Sequence, residues 1–132
     1  MNSKSVGAVL FVKDLRKVAA FYSQALQLKC IHSDENHSVL MCGGFDLIVH
    51  QIPKEIADDI EIDEPPKRRI GGAIRLDYPV DDIAASRKLA RTLGGDIDES
   101  PPEWADRNAN FFLGYDPEGN QIGVREERSP AS

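Results

Sequence analysis

The chain repeats itself, and the repeat constrains its fold more than any other feature. Val12-Lys13-Asp14-Leu15 opens an apolar helical stretch after a short apolar strand, and Val80-Asp81-Asp82-Ile83 opens another 68 residues later. A repeated strand-helix unit means two stacked modules sharing one sheet system, with a cleft between them. With 132 residues, 41% of them apolar, the chain is long enough for one domain made of two modules.

Within the first module, residues 6–12 alternate as a strand. Val6, Ala8, Leu10 and Val12 lie on one side, which faces a helix, and Gly7, Val9 and Phe11 on the other, which faces a cavity. Asp14 suits a helix N-cap, and Leu15, Val18, Phe21, Tyr22, Ala25 and Leu26 recur at helical spacing as far as about Gln27. Residues 28–52 then read as three short strands, broken at Ser33-Asp34-Glu35-Asn36 and at Gly43-Gly44. This gives a βαβββ module over 5–52. Residues 53–70, with Pro53, Pro65, Pro66 and an acidic run, form a solvated linker with one helical turn near Lys54–Asp58.

The second module spans 71–127. Ile74, Leu76, Tyr78 and Val80 share one strand face, with Ala73, Arg75 and Asp77 on the other. A helix capped by Asp81 or Asp82 carries Ile83, Leu89, Ala90 and Leu93 inward and stops at Gly94-Gly95. Strands near 96–99, 108–115 and 121–127 complete the pattern, the last two joined by a tight turn at Asp116-Pro117-Glu118-Gly119-Asn120. Residues 128–132 read as a loose tail. The fold class is therefore α+β, two βαβββ modules forming a curved mixed sheet around a cleft.

A net charge of −6 and a pI near 5.0 oppose binding to nucleic acid. No stretch approaches the roughly 20 apolar residues of a membrane span, and Met1-Asn2-Ser3-Lys4-Ser5 lacks the apolar core of a signal peptide. A cytoplasmic protein with no membrane partner is the expectation. Cys30 and Cys42 have no metal-ligand spacing and read as reduced core thiols.

Val12-Lys13-Asp14-Leu15, Phe21-Tyr22-Ser23-Gln24-Ala25-Leu26, Leu93-Gly94-Gly95 and Asp116-Pro117-Glu118-Gly119-Asn120 together resemble the vicinal oxygen chelate superfamily of glyoxalase I, bleomycin-resistance proteins and extradiol dioxygenases. The resemblance covers about residues 5–127 and departs at Gln27, where the family usually has glycine. It implies the glyoxalase/bleomycin-resistance/dioxygenase fold and a twofold homodimer in which modules often pair across chains. In metal-dependent relatives, His, Gln and Glu ligands come from the first and fourth strand of each module. Carried over, those positions fall on Gly7, Ile48, Arg75 and Gly123, with His50 replacing Ile48 if the strand slips by two. Three of four positions then lack a donor, so neither a metal nor another cofactor is expected.

The cavity face offers Arg75, His50, Gln121 and Arg125 instead. An arginine fork in a partly desolvated cleft matches a carboxylate, phosphate or enolate. The plainer reading is that Arg75 pairs with Asp77 or a glutamate and that Arg125 is solvated. Trp104 on a loop, and Phe11, Phe111, Phe112 and Tyr115 on strands, provide aromatic walls, one of the Phe111–Phe112 pair belonging to the core. His32 and His37 flank the Ser33–Asn36 turn, where opposing side chains offer a place for an adventitious ion, but the favoured reading is solvent-exposed turn histidines. The expected function is metal-independent binding of an anionic or aromatic small molecule between the modules. The alternative is a lyase, isomerase or dioxygenase, metal-dependent or metal-free, with His50 as a catalytic base.

Overall fold

Alternation in the first strand decides which way the module closes. In the computed structural model, which describes residues 4–105 and 110–127, β1 (Val6–Val12) turns Ala8, Leu10 and Val12 toward a helix and leaves Val9 and Phe11 exposed. The chain then passes through α1 (Leu15–Ala20), which continues as a π-helical turn over Phe21–Ala25, and through β2 (Lys29–Ser33), β3 (His37–Cys42) and β4 (Phe45–Gln51). β4 returns parallel to β1, giving the sheet order β1-β4-β3-β2. After α2 (Lys54–Ala57) the pattern recurs with β5 (Leu76–Val80), α3 (Ile83–Thr92), β6 (Asp96–Ile97), β7 (Phe111–Tyr115) and β8 (Gln121–Glu126), in the order β5-β8-β7-β6. The two four-stranded mixed sheets are the expected α+β architecture.

The repetition extends to single hydrogen bonds. Asp14 Oδ1 accepts from Lys17 N and Asp82 Oδ1 from Ala85 N, so α1 and α3 both begin at an aspartate N-cap. Val12 pairs with Gln51 and Val80 with Glu126 across the parallel strands. Each partner's side chain then reaches the helix start: Gln51 Oε1 accepts from Leu15 N at 3.0 Å, and Glu126 Oε1 from Ile83 N at 3.1 Å. The last strand of each module thereby fixes the entry angle of its own helix.

Between the sheets lies the shared core. α1 packs on β3 and β4, α3 on β6 and β8, and α3 meets the π-helical turn. Val12, Val18, Phe21, Tyr22, Leu26, Leu40, Leu47, Val49, Tyr78, Val80, Ile97 and Val124 are buried there. Two polar clamps join the modules. Glu118 accepts Lys13 N and Asp14 N, both at 2.8 Å, and Gln27 Oε1 accepts Asp81 N at 2.8 Å. Gln27 sits at φ 63, a conformation that glycine adopts more cheaply, and its side chain explains why glycine is absent.

Three expectations need correction. β5 begins at Leu76, and Ile74 is 82% exposed, because Arg69 bridges Asn120 and donates its N–H to Gly119 O at 2.8 Å, taking the place beside β8 that residues 73–75 would need. On α3, Ser86 points inward and Leu89 outward. Close approach of α3 to the π-helical turn requires small side chains at Ser86 and Ala90. Cys30 and Cys42 are both free thiols, but Cys30 is exposed and only Cys42 packs against the core. The expected start of the seventh strand at 108 and the tail at 128–132 lie outside the described residues.

Candidate functional site

Because helices fill the space between the sheets, the faces expected to line a cleft point outward. Within one chain the modules stand back to back, and no cleft joins Phe11 and His50 of the first sheet to Arg75, Gln121 and Arg125 of the second. Grooves of about 680 and 720 Å³ lie elsewhere, one between α1, the linker and the end of α3, the other between α1 and the β2–β3 hairpin; none of these residues lines either.

On the second sheet's open face, Arg75 stands just before β5 and Asp77 two residues later, so alternation places both on one side. Arg75 Nε donates to Asp77 Oδ1 at 2.7 Å and Nη2 to Oδ2 at 3.0 Å. The same guanidinium lies 5.4 Å from the Trp104 ring centre and 5.1 Å from that of Phe111, whose rings are 5.6 Å apart. Gly123 makes room for this arrangement: a Cβ there would collide with Asp77 Oδ1 and come within 2.7 Å of the Phe111 ring. Phe112 points the other way, against the core and beneath Arg87. Arg125 donates to Glu127 at 2.9 Å, and Gln121 pairs with Tyr115 at the strand's start. Arg68, from the linker, makes a two-pronged bond to Asp98 and covers the Tyr115 ring. Among the described residues, Arg68, Arg75 and Arg125 each have their own carboxylate, so an anion would meet hydrogen-bond donors here rather than an uncompensated positive field.

On the first sheet, His50 Nδ1 lies 2.9 Å from Gln51 O. Only a donor can face a carbonyl oxygen, so this contact calls for a proton on Nδ1, and in the neutral tautomer that has one there Nε2 is the acceptor. The His50 ring stacks on His37 at 6.1 Å and tilts against Phe11 at 5.7 Å. Phe11 is 64% exposed, as is Trp104.

The paired strands also align the two modules at the positions that the resemblance implies for a chelated ion. Equating Gln51 with Glu126 equates Ile48 with Gly123 and His50 with Arg125. Gly7, Ile48, Arg75 and Gly123 are then the four positions, and they do not fit a metal. Two lack side chains, one is apolar, and the fourth is a cation held by Asp77. A Cβ at Gly7 would already press on Asp46 O at 3.2 Å.

The sequence pattern contained Arg75, His50, Gln121, Arg125, Trp104 and Phe11 as site residues, with Asp77 as a partner for Arg75 and Phe111 as an aromatic wall, but not the space that Gly123 leaves for them. The Arg-x-Asp alternation of residues 75–77 is repeated as Arg-x-Glu at 125–127. His32 and His37 were legible as exposed turn histidines, with an adventitious ion as the lesser reading; here Asp34 Oδ2 lies 3.0 Å from His32 Nε2. That bond, with two backbone N–H groups, holds the Asp34 carboxyl well below the usual carboxylate range.

A family model described as a glyoxalase-like domain matches residues 7–125. Among solved structures, the chain is similar to a glyoxalase/bleomycin resistance protein/dioxygenase family enzyme from Burkholderia phytofirmans, with a TM-score of 0.66 at 18% identity, covering 94% of this chain and 98% of that one. The fosfomycin resistance protein FosX from Listeria monocytogenes gives 0.63 at 13% identity, covering 100% and 96%. A glyoxalase/bleomycin resistance protein from Albidiferax ferrireducens gives 0.62 at 16% identity, covering 92% and 97%. No curated protein matches by sequence. Among the described residues, no helix is long and apolar enough to cross a membrane.

Proposed function

The chain belongs to the glyoxalase-like domain family of the vicinal oxygen chelate superfamily, and from that premise we propose that it is a metal-independent cytoplasmic binding protein for a small aromatic molecule with an anionic substituent. The observation that carries this reading is the Arg75 guanidinium, clasped by Asp77 and flanked by the Trp104 and Phe111 rings over Gly123. A cation held among aromatic faces is a platform on which a flat ring can stack. Arg75 Nη1, which the Asp77 fork does not use, is a donor that an anionic substituent on such a ring can accept from, and Arg125 serves as a second only by exchanging its bond to Glu127. In a homodimer, the first sheet of one chain closes over the second sheet of its partner, so that Phe11 and His50 form the opposite wall.

Trp104 is the only tryptophan in the chain, so its emission reports on this platform alone. Titration with a series of aromatic carboxylates should give saturable quenching that survives EDTA and weakens about tenfold or more in Arg75→Ala. Loss of binding in EDTA would overturn metal independence, and unchanged affinity in Arg75→Ala would overturn the site. A metal-free lyase or isomerase is favoured by one observation, the His50 tautomer that presents Nε2 as a base. On that reading His50→Gln abolishes turnover and spares binding; turnover that persists excludes His50 as the base.

A further inference from the structure

The β2–β3 hairpin brings together side chains that the binding face does not use. In the antiparallel pairing, Cys30 lies opposite Leu40, whose side chain points toward the helices. Unbroken register would place His32 opposite Ser38, on that same buried side. A β-bulge at Ile31 inserts one residue, so His32 lies opposite Val39 and shares the open face with His37. Bulges re-aim side chains in this way at the cost of a local break in pairing.

The turn itself is tightly held. Asp34 N donates to His37 O at 2.9 Å, and Asp34 Oδ1 accepts Asn36 N at 2.8 Å and His37 N at 2.9 Å. This leaves Oδ2 directed at His32 Nε2 at 3.0 Å, with His37 Nδ1 3.3 Å from Oδ1. One ligating atom from each residue lies within 4.8 Å of the others. Ligands about 2.0–2.2 Å from an ion stand roughly 3 Å apart; His32 and His37 already stand 3.0 and 3.3 Å from the two oxygens of the Asp34 carboxylate, and rotation of the exposed His32 ring is enough to turn all three groups onto one ion. His37 is further fixed by stacking on His50.

We propose that His32, Asp34 and His37 form a binding site for a divalent first-row transition ion. Two imidazoles and one carboxylate suit Zn²⁺, Fe²⁺, Co²⁺, Ni²⁺ or Cu²⁺ rather than Mg²⁺ or Ca²⁺. Three ligands from one hairpin leave a coordination position for water. The site sits at the rim of the first sheet's open face and is separate from Gly7, Ile48, Arg75 and Gly123.

Co²⁺ titrated into untagged protein stripped with chelator reports both stoichiometry and place, through its visible absorption and its broadening of nearby amide resonances. One ion per chain is expected, with broadening centred on residues 31–38 and displacement by Zn²⁺. His32→Gln and His37→Gln should each weaken binding about tenfold or more; His32 is exposed and His37 half-buried against His50, so the melting temperature of each metal-free variant is measured alongside to show that it remains folded. Equal Co²⁺ affinity in the double variant, broadening centred on residues 46–50 or 75–77, or no saturation below about 1 mM would overturn the site. Trp104 quenching in EDTA is a separate measurement, so failure here and failure of the aromatic-binding reading are distinguishable.

Discussion

At the scale of single residues, the most constrained group is the Asp116 carboxylate, which is fully buried yet accepts four hydrogen bonds. Tyr22 Oη and Asn120 Nδ2 donate to Oδ2 at 2.7 and 2.9 Å, and Glu118 N and Asn120 N donate to Oδ1 at 2.9 and 3.0 Å. Burial pushes its pKa up and the hydrogen bonds pull it down, with burial the larger effect. A raised folded-state pKa means that this group's stabilisation is complete below its unfolded value of about 3.9 and is lost as pH rises through the folded value. Tyr22→Phe removes one of the donors that hold the pKa down, so in the variant the loss continues to higher pH. The expected destabilisation is about 2 kcal/mol at neutral pH and smaller near pH 4. Urea unfolding of both proteins at stepped pH measures it, and a difference that does not vary with pH would contradict the assignment. The Asp-Pro-Glu-Gly-Asn turn was legible in the sequence from its own residue types. Its burial against Tyr22 was not, because that contact joins residues 94 positions apart.

At the scale of elements, period-two alternation made nearly all the strands legible, and the two aspartate caps marked both helix starts. What alternation cannot show is a one-residue slip. The bulge at Ile31 left no mark in the pattern yet decides the face on which His32 emerges. The late start of β5 was hidden for a similar reason, since it depends on Arg69 of the linker occupying the space beside Asn120. β8 carries the element-scale prediction. Gly123 leaves the space into which Asp77 and Phe111 fold, so Gly123→Ala must displace one of them. Overpacking of this kind costs about 1–3 kcal/mol. The informative readout is Trp104: its emission should shift and its quenching by aromatic carboxylates weaken, since the ring it leans on has moved. Unaltered emission and affinity in a folded variant would show that Phe111 does not set the platform.

At the scale of the whole molecule, the outward orientation of both open faces is the feature that one chain leaves incomplete. Scattered exposed apolar residues are ordinary, but Val9 at 49% and Phe11 at 64% exposure share the face of an edge strand whose far side pairs with nothing in its sheet, and Trp104 at 64% lies over the other sheet. Edge strands with apolar faces are normally covered. In the homodimer proposed above, a second copy related by a twofold axis would cover them reciprocally, setting β1 and its open face against the partner's second sheet and making two equivalent clefts. Light scattering behind a sizing column should therefore give twice the 14.6 kDa mass of one chain. Phe11→Glu buries a charge in such an interface without touching the core that holds each chain together, so it should yield a folded monomer. The same variant should lose most of its affinity for aromatic ligands, although Phe11 and Trp104 belong to different modules. A monomer that still quenches at wild-type affinity would place the whole site on the second sheet, and the composite cleft would be wrong.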